Sequence, residues 1–347
     1  MSFQASAEEN KTKAQNEPVS KSDDGFENFI LQCCKAPEWQ LRHFLKKVLI
    51  RAGFTIYEDG YKTERCAKEK RYETVHNMLA VRGNANICLA AHTDVCRDHD
   101  EARGESRYGS YGEHHYWMYD RHNEDSNKPR VPRKVEPVIK TVEMDGEIRR
   151  VIQDKDCKLQ VGGDDRLGVA INVWIALNTG YDMALYFPTD EEIGLKSARA
   201  CEMEALKDFD LVVEVDRGNH SNQLVIKIGG EILCSYDTAV RLLEIAYDLN
   251  MPRQCITGMS TDVYALKSRG MIKEAVNMTC GYHNSNSSSP LEYIDINEAK
   301  DTMRYVSAIV KDYYLKQEIP ITVDASAETA TEEKEAETAE LEICLGE

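Results

Sequence analysis

Four apolar runs of this sequence end on side chains that can bind a divalent cation or move a proton. NICLAAHTD reaches His92 and Asp94, ALYFPTDEE reaches Glu191 and Glu192, LVVEVD reaches Asp216, and AVNMTCGYH reaches His283. A fifth stretch, GGDDRLGVA, places Asp164 and Asp165 just before a helix, where the helix N-terminus favours negative charge and the glycines allow close backbone approach. Imidazole and carboxylate donors without a cysteine suit zinc, and equally manganese or cobalt, so the residue types specify a divalent pair and not its identity.

Each stretch taken singly also has a plain structural reading. His92 and Asp94 fit an ordinary strand end, Glu191 and Glu192 a solvated face, and Asp164 with Asp165 a helix N-cap. Asp216 fits a pair with Arg217. The conjunction of five such motifs in one chain is what points to chemistry.

The elements around these residues explain how they could meet. Helical spacing runs from Phe26 to Phe54, followed by a strand-like run at 86–91, a helix over 166–177 and the strand MALYFPT. A short helix near 196–204, strands DLVVEVD and LVIKI, and helices over 238–249 and 261–268 come next. Strand KEAVNMT and a final helix over 297–316 close the series. Strands alternating with helices of this length imply βαβ crossovers, so the expected fold is α/β, a single domain with a mixed, largely parallel sheet and helices on both faces. In such open sheets ligands bind beyond the carboxyl ends of the strands, which gathers the motifs into one crevice.

Residues 1–24 are polar, and 319–347 are rich in Ala, Thr and Glu, with nine acids and one lysine after Val323. Neither composition buries enough apolar surface to offset ordering entropy, so both are expected to be disordered tails around a catalytic domain over 25–318. Residues 98–134, rich in Tyr, His, Gly and charge, break the rhythm. They are expected to form an inserted loop covering the mouth of the site or making a subunit contact.

The ordered set AHTD, GGDDRLG, PTDEEIG, VEVDRG and CGYHNSNSSSPLEYIDI resembles the co-catalytic di-zinc exopeptidase superfamily, which includes peptidase T, tetrahedral aminopeptidases, bacterial leucyl aminopeptidases and acylamino-acid deacylases. The resemblance covers roughly residues 30–316, and GMSTDVYALKSRG resembles the stretch before the last ligand loop. It implies two zinc ions per chain, with manganese or cobalt as substitutes. It further implies His92 and Asp216 on one ion, Glu192 on the other, and Asp164 bridging both through a cis link to Asp165. Asp94 would hold the His92 imidazole, and Glu191 would be the general base beside a metal-activated water. The last histidine of the pattern falls at Asn286 when aligned on CGY and at Ser288 when aligned on SPLEYID. His283 is the only histidine of that loop and stands as the candidate ligand.

The resemblance implies an enzyme, an aminopeptidase cleaving the N-terminal bond of a peptide substrate. The roughly 67 residues between Asp216 and His283 are too few for the lid domain of deacylases and peptidase T, and relatives with aspartate at the position of Asp216 tend to be aminopeptidases. An N-acyl-amino-acid amidohydrolase is the first alternative, and a binding protein that lost one metal is the second. Relatives are often dimers or larger, so a homo-oligomer fits.

The net charge of −17 lacks the clustered basic face that a phosphate backbone requires, so nucleic acid is not an expected partner. No apolar run approaches the roughly 20 residues that span a bilayer. Eleven cysteines without disulfide or CxxC spacing, and a beginning without a basic patch and apolar stretch, make the expected location cytoplasmic.

Overall fold

The computed structural model describes residues 23–66, 71–95, 135–157, 160–285 and 292–318. The 98–134 segment, the Asn286 and Ser288 positions and nearly all of both tails lie outside the described residues. The chain divides into a body, Met1–Tyr314, and a C-terminal unit, Leu315–Glu347, in which only the end of the last helix is described.

Helical spacing at 26–54 resolves into two helices, α1 (Asp23–Lys35) and α2 (Glu38–Arg51), because Pro37 cannot donate a backbone hydrogen bond and disfavours helix before it. Then follow β1 (Thr55–Cys66) and β2 (Arg71–Arg82), a long antiparallel hairpin, and β3 (Ile87–Ala90). A second hairpin, β4 (Pro137–Met144) and β5 (Glu147–Asp154), precedes α3 (Gly163–Asn178) and β6 (Met183–Phe187). The chain continues through α4 (Lys196–Ala200), a 3₁₀ turn (Glu204–Asp208), β7 (Leu211–Arg217), β8 (Gln223–Ile228), β9 (Glu231–Ile232) and α5 (Tyr236–Asp248). It ends with β10 (Gln254–Gly258), α6 (Asp262–Ser268), β11 (Ala275–Thr279), β12 (Tyr282–His283), β13 (Tyr293–Asp295) and α7 (Ile296–Glu318).

Among the described residues the main sheet runs β1-β2-β6-β3-β7-β11-β8-β10, with β9 paired to β8. Its centre, β6-β3-β7-β11, is parallel throughout. β3, β6 and β11 are buried end to end and β7 over its first five residues, which is why they read as apolar runs. Successive side chains enter two separate cores. Met183, Leu185, Phe187, Val213 and Val215 join the core that holds Leu45, Val169 and Tyr305 from α2, α3 and α7. Ala184, Tyr186 and Val212 join the opposite core with Ala198 of α4 and Leu266 of α6. The sheet is thus covered on both faces, as the alternation of strands and helices implies.

A smaller antiparallel sheet, β12-β13-β5-β4, stands beside the main one. The β1-β2 and β4-β5 hairpins escape periodicity because their faces mix charge with isolated apolar residues, as in PVIKTVEM. Gly168 marks where α3 meets β7: a Cβ there would lie 2.1 Å from the Val215 carbonyl oxygen. Only a residue without a side chain permits that approach.

Candidate metal centre

The parallel strands deliver their carboxyl ends to one edge of the sheet. His92 follows β3 by two residues, Glu191 follows β6, and Asp216 is the penultimate residue of β7. Alternation turns Val213 and Val215 toward the α3 face and Glu214 and Asp216 toward the other.

His92 is fully buried, and its Nε2 stands 3.1 Å from Asp164 Oδ1 and 3.6 Å from Asp216 Oδ1. Among the described residues, His92, Asp164 and Asp216 form a group whose ligand atoms all lie within 4.8 Å of one another. Donors bound tetrahedrally at about 2.0–2.2 Å are separated by roughly 3.3–3.6 Å, so one imidazole and two carboxylates at these spacings fit a zinc-sized ion. The other ring nitrogen, Nδ1, faces the Asp94 carbonyl at 2.9 Å and the Asp94 carboxylate at 3.5 Å. That contact leaves Nε2 as the free donor atom.

Asp164 reaches the group because the head of α3 is not helical. The Asp164–Asp165 peptide is cis, and neither residue has helical torsions. The two aspartates divide the readings open to them in the sequence. Asp165 caps the helix, its Oδ1 accepting the Gly168 N–H at 3.0 Å, while Asp164 faces His92. Glu292, just before β13, clamps the preceding turn by accepting the N–H of Gly162 at 2.7 Å and of Asp164 at 3.3 Å. Gly163 lets this turn pass Tyr282, since a Cβ there would lie 2.6 Å from the Tyr282 Cβ.

Asp164, Asp216 and Glu191 line one cavity of about 400 Å³ with Arg217, Asn277 and Tyr282. The Tyr282 hydroxyl donates to Asp216 Oδ1 at 3.3 Å, and Asn277 Oδ1 accepts the Asp216 N–H at 3.2 Å. Asp94 Oδ1 and Oδ2 accept the N–H groups of Glu191 and Glu192 at 3.2 and 3.3 Å, fixing the loop that carries both glutamates. His283 lies apart from the gathered donors: its Nε2 meets Glu298 Oε2 at 2.9 Å, and its ring stacks on Tyr293. Asp216 and Arg217 do not pair; Arg217 Nε donates instead to Gln223 Oε1 at 2.7 Å.

Compared by sequence, the chain matches no protein-family model and no curated protein. Compared by structure, it is similar to the aminopeptidase PepT of Bacillus cereus, with a TM-score of 0.59 and 12% identity over 84% of this chain and 99% of the other. A tripeptidase from Staphylococcus aureus superposes with a TM-score of 0.58 and 12% identity over 85% of this chain and 99% of its own. A Zn-dependent exopeptidase from Parabacteroides distasonis gives a TM-score of 0.53 and 13% identity over 86% and 99%. The chain shares the fold of these peptidases. At such identity the likeness speaks for the fold, and a glutaminyl cyclase of Porphyromonas gingivalis, at a TM-score of 0.51, carries another chemistry on it.

Within this exopeptidase fold the centre is strongly acidic. Burial pushes Glu191 well above the usual carboxylate range; the His92 charge opposes this, and the neighbouring Glu192 adds to it. Burial likewise raises Asp216 to about 6 against the pull of His92. For His92 itself burial acts downward, but Asp216 and the hydrogen bonds to Asp164, Asp216 and Asp94 outweigh it and raise the imidazole well above its ordinary value. Two further acids, Glu214 and Asp262, are fully buried nearby, and burial raises both. Sequence reasoning passed over them, together with Glu292 and Tyr282. Glu214 alternates in phase with Asp216 within VEVD, and that was the signal available for it.

Proposed function

We propose that the chain is a metal-dependent exopeptidase, an aminopeptidase that hydrolyses the N-terminal bond of peptides. The observation that carries the reading is the convergence of His92, Asp164 and Asp216 at a zinc-compatible spacing, with Glu191 lining the same cavity.

His92, Asp164 and Asp216 would hold one ion. Asp164 and Glu192 would hold a second, with His283 as its imidazole once freed from Glu298. These donors suit zinc, manganese or cobalt alike, and the Zn-dependent exopeptidase that shares the fold supports zinc. Such ions supply a polarised scissile carbonyl and a water that loses its proton near neutral pH.

Glu191 would accept a proton from the attacking water and return it to the leaving amine; its burial, which favours the protonated form, suits the second transfer. Asp94 keeps His92 in the tautomer that offers Nε2 and holds Glu191 by its backbone. Asp165 and Glu292 hold the turn that presents Asp164. Tyr282 and Asn277 fix Asp216.

No helix among the described residues is long and apolar enough to cross a membrane, and eight described cysteines are free thiols. Both fit a protein working in the cytoplasm. A TET1 peptidase of Pyrococcus horikoshii with this fold, at a TM-score of 0.51, assembles into a tetrahedron or an octahedral shell. A homo-oligomer is part of this proposal.

The reading is tested by release of free amino acids from short peptides, with and without chelator, beside Glu191→Gln. Cleavage abolished by chelator and by the variant is expected. Activity indifferent to both would overturn the mechanism, and cleavage confined to N-acyl substrates would favour the amidohydrolase.

A further inference from the structure

Arg217 is unusual within the cavity. Three carboxylates, Asp164, Asp216 and Glu191, share its lining along with His220 and neutral polar side chains such as Asn277 and Ser260, in a chain of net charge −17. An arginine so placed would ordinarily pair with one of them. Instead its Nε is committed to Gln223 Oε1 at 2.7 Å, and Gln223 is itself fixed by its N–H to Thr279 Oγ1 at 3.2 Å. Among the described residues the terminal nitrogens of Arg217 donate to no side chain and pair with no acid. The guanidinium is therefore anchored through one edge by two strands, β8 and β11, while its outer fork remains uncommitted.

We infer that Arg217 is a substrate-recognition residue that takes a carboxylate of the peptide bound in this cavity. The inference rests on the peptidase reading for the identity of the ligand, and on the held, unpaired fork for its chemistry. An arginine fork matches a carboxylate through parallel hydrogen bonds, whereas a lysine offers only a point charge. Cations bound by Asp164 and Asp216 would offset those acids, leaving Arg217 as the group that sorts substrates by charge. A cavity of about 400 Å³ admits one amino-acid residue and part of the next. The carboxylate is then either the side chain of an acidic N-terminal residue or the terminal carboxylate of a dipeptide.

Two peptide pairs separate these sources: Glu-Ala-amide against Gln-Ala-amide, and Ala-Ala against Ala-Ala-amide. The metal-loaded protein is expected to favour the carboxylate member of one pair by about 10–100-fold in kcat/KM. Arg217→Gln is expected to bring that ratio close to unity, and Arg217→Lys to keep a fraction of it. The same peptides titrated calorimetrically into Glu191→Gln, with and without Arg217→Gln, read recognition without turnover. Arg217-dependent binding of the carboxylate member with no hydrolysis of any peptide would sink the peptidase reading and keep this one. Hydrolysis without a carboxylate preference, or a preference that survives Arg217→Gln, would overturn the role of Arg217 alone.

Discussion

Asp94 Oδ1 accepts the backbone N–H of Glu191 at 3.2 Å, tying the end of β3 to the loop that leaves β6. The same residue faces the imidazole of His92, its carbonyl oxygen 2.9 Å and its carboxylate 3.5 Å from Nδ1. Outer contacts of this kind typically contribute 10–100-fold to metal affinity or activity. Asp94→Ala is therefore expected to weaken metal binding by about 10–100-fold, measured by competition with a chromogenic chelator. An unchanged affinity would remove Asp94 from the proposal.

Glu191 holds none of the gathered donor atoms, so its substitution should separate chemistry from metal binding. Glu191→Gln is expected to lower kcat by about 10²–10⁴-fold with metal content unaltered, since general base catalysis contributes on that order. Loss of metal in this variant would recast Glu191 as a ligand.

The two histidines should differ in what they cost. His92→Ala removes the imidazole of the assembled group and is expected to abolish both activity and the rise in melting temperature on adding zinc. At about 100 times Kd that stabilisation amounts to about 2.7 kcal/mol. His283→Ala is expected to lower metal content by one ion of the proposed pair, read by atomic absorption after desalting. Unchanged content would leave His283 as the partner of Glu298 alone.

Gly168→Ala tests the contact that brings α3 onto β7. Its Cβ would overlap a backbone oxygen, which cannot move aside as a flexible side chain would. The expected destabilisation is about 1–3 kcal/mol by denaturant titration, with reduced metal affinity because Asp164 shifts with the helix. Full stability would show that the helix and strand can part without cost.

Glu27 provides a pH signature far from the centre. It accepts Arg150 through two bonds of 3.0 and 2.8 Å and Lys300 at 2.9 Å, joining α1, β5 and α7. Burial acts to raise its pKa, but Lys300 and Arg150 outweigh that and hold it below the ordinary 4.5. A depressed carboxyl stabilises the fold above its unfolded pKa, and the contribution fades as pH falls through the folded value. Arg150 is half exposed, so Glu27→Gln is expected to cost a modest amount, about 1–2 kcal/mol at neutral pH. Wild type and variant should converge in urea stability once the pH has fallen through the lowered folded-state pKa of Glu27. A gap that persists in acid would mean that packing, not charge, is lost.

Much of the fold was legible because central parallel strands are buried on both faces and so announce themselves as apolar runs. MALYF and AVNMT are examples, and the residues that follow each run must then lie on one edge. The hairpins β1-β2 and β4-β5 were not legible: half-exposed strands with mixed faces give no clear period, and their pairing is a long-range event. The break at Pro37 was written in the sequence but outweighed by the continuous helical spacing around it.

By itself the sequence determined which side chains arrive at the strand ends, because a strand's length and alternation fix where its last residues point. It also placed Asp164 at the head of a helix. Only the tertiary structure decided which of two adjacent aspartates turns to the metal group and which caps the helix, because that depends on Glu292, distant in sequence, which holds the turn before them. It likewise decided that Arg217 pairs with Gln223 and not with Asp216, and that His283 stands against Glu298, since such partners are set by how the sheets pack and not by spacing along the chain.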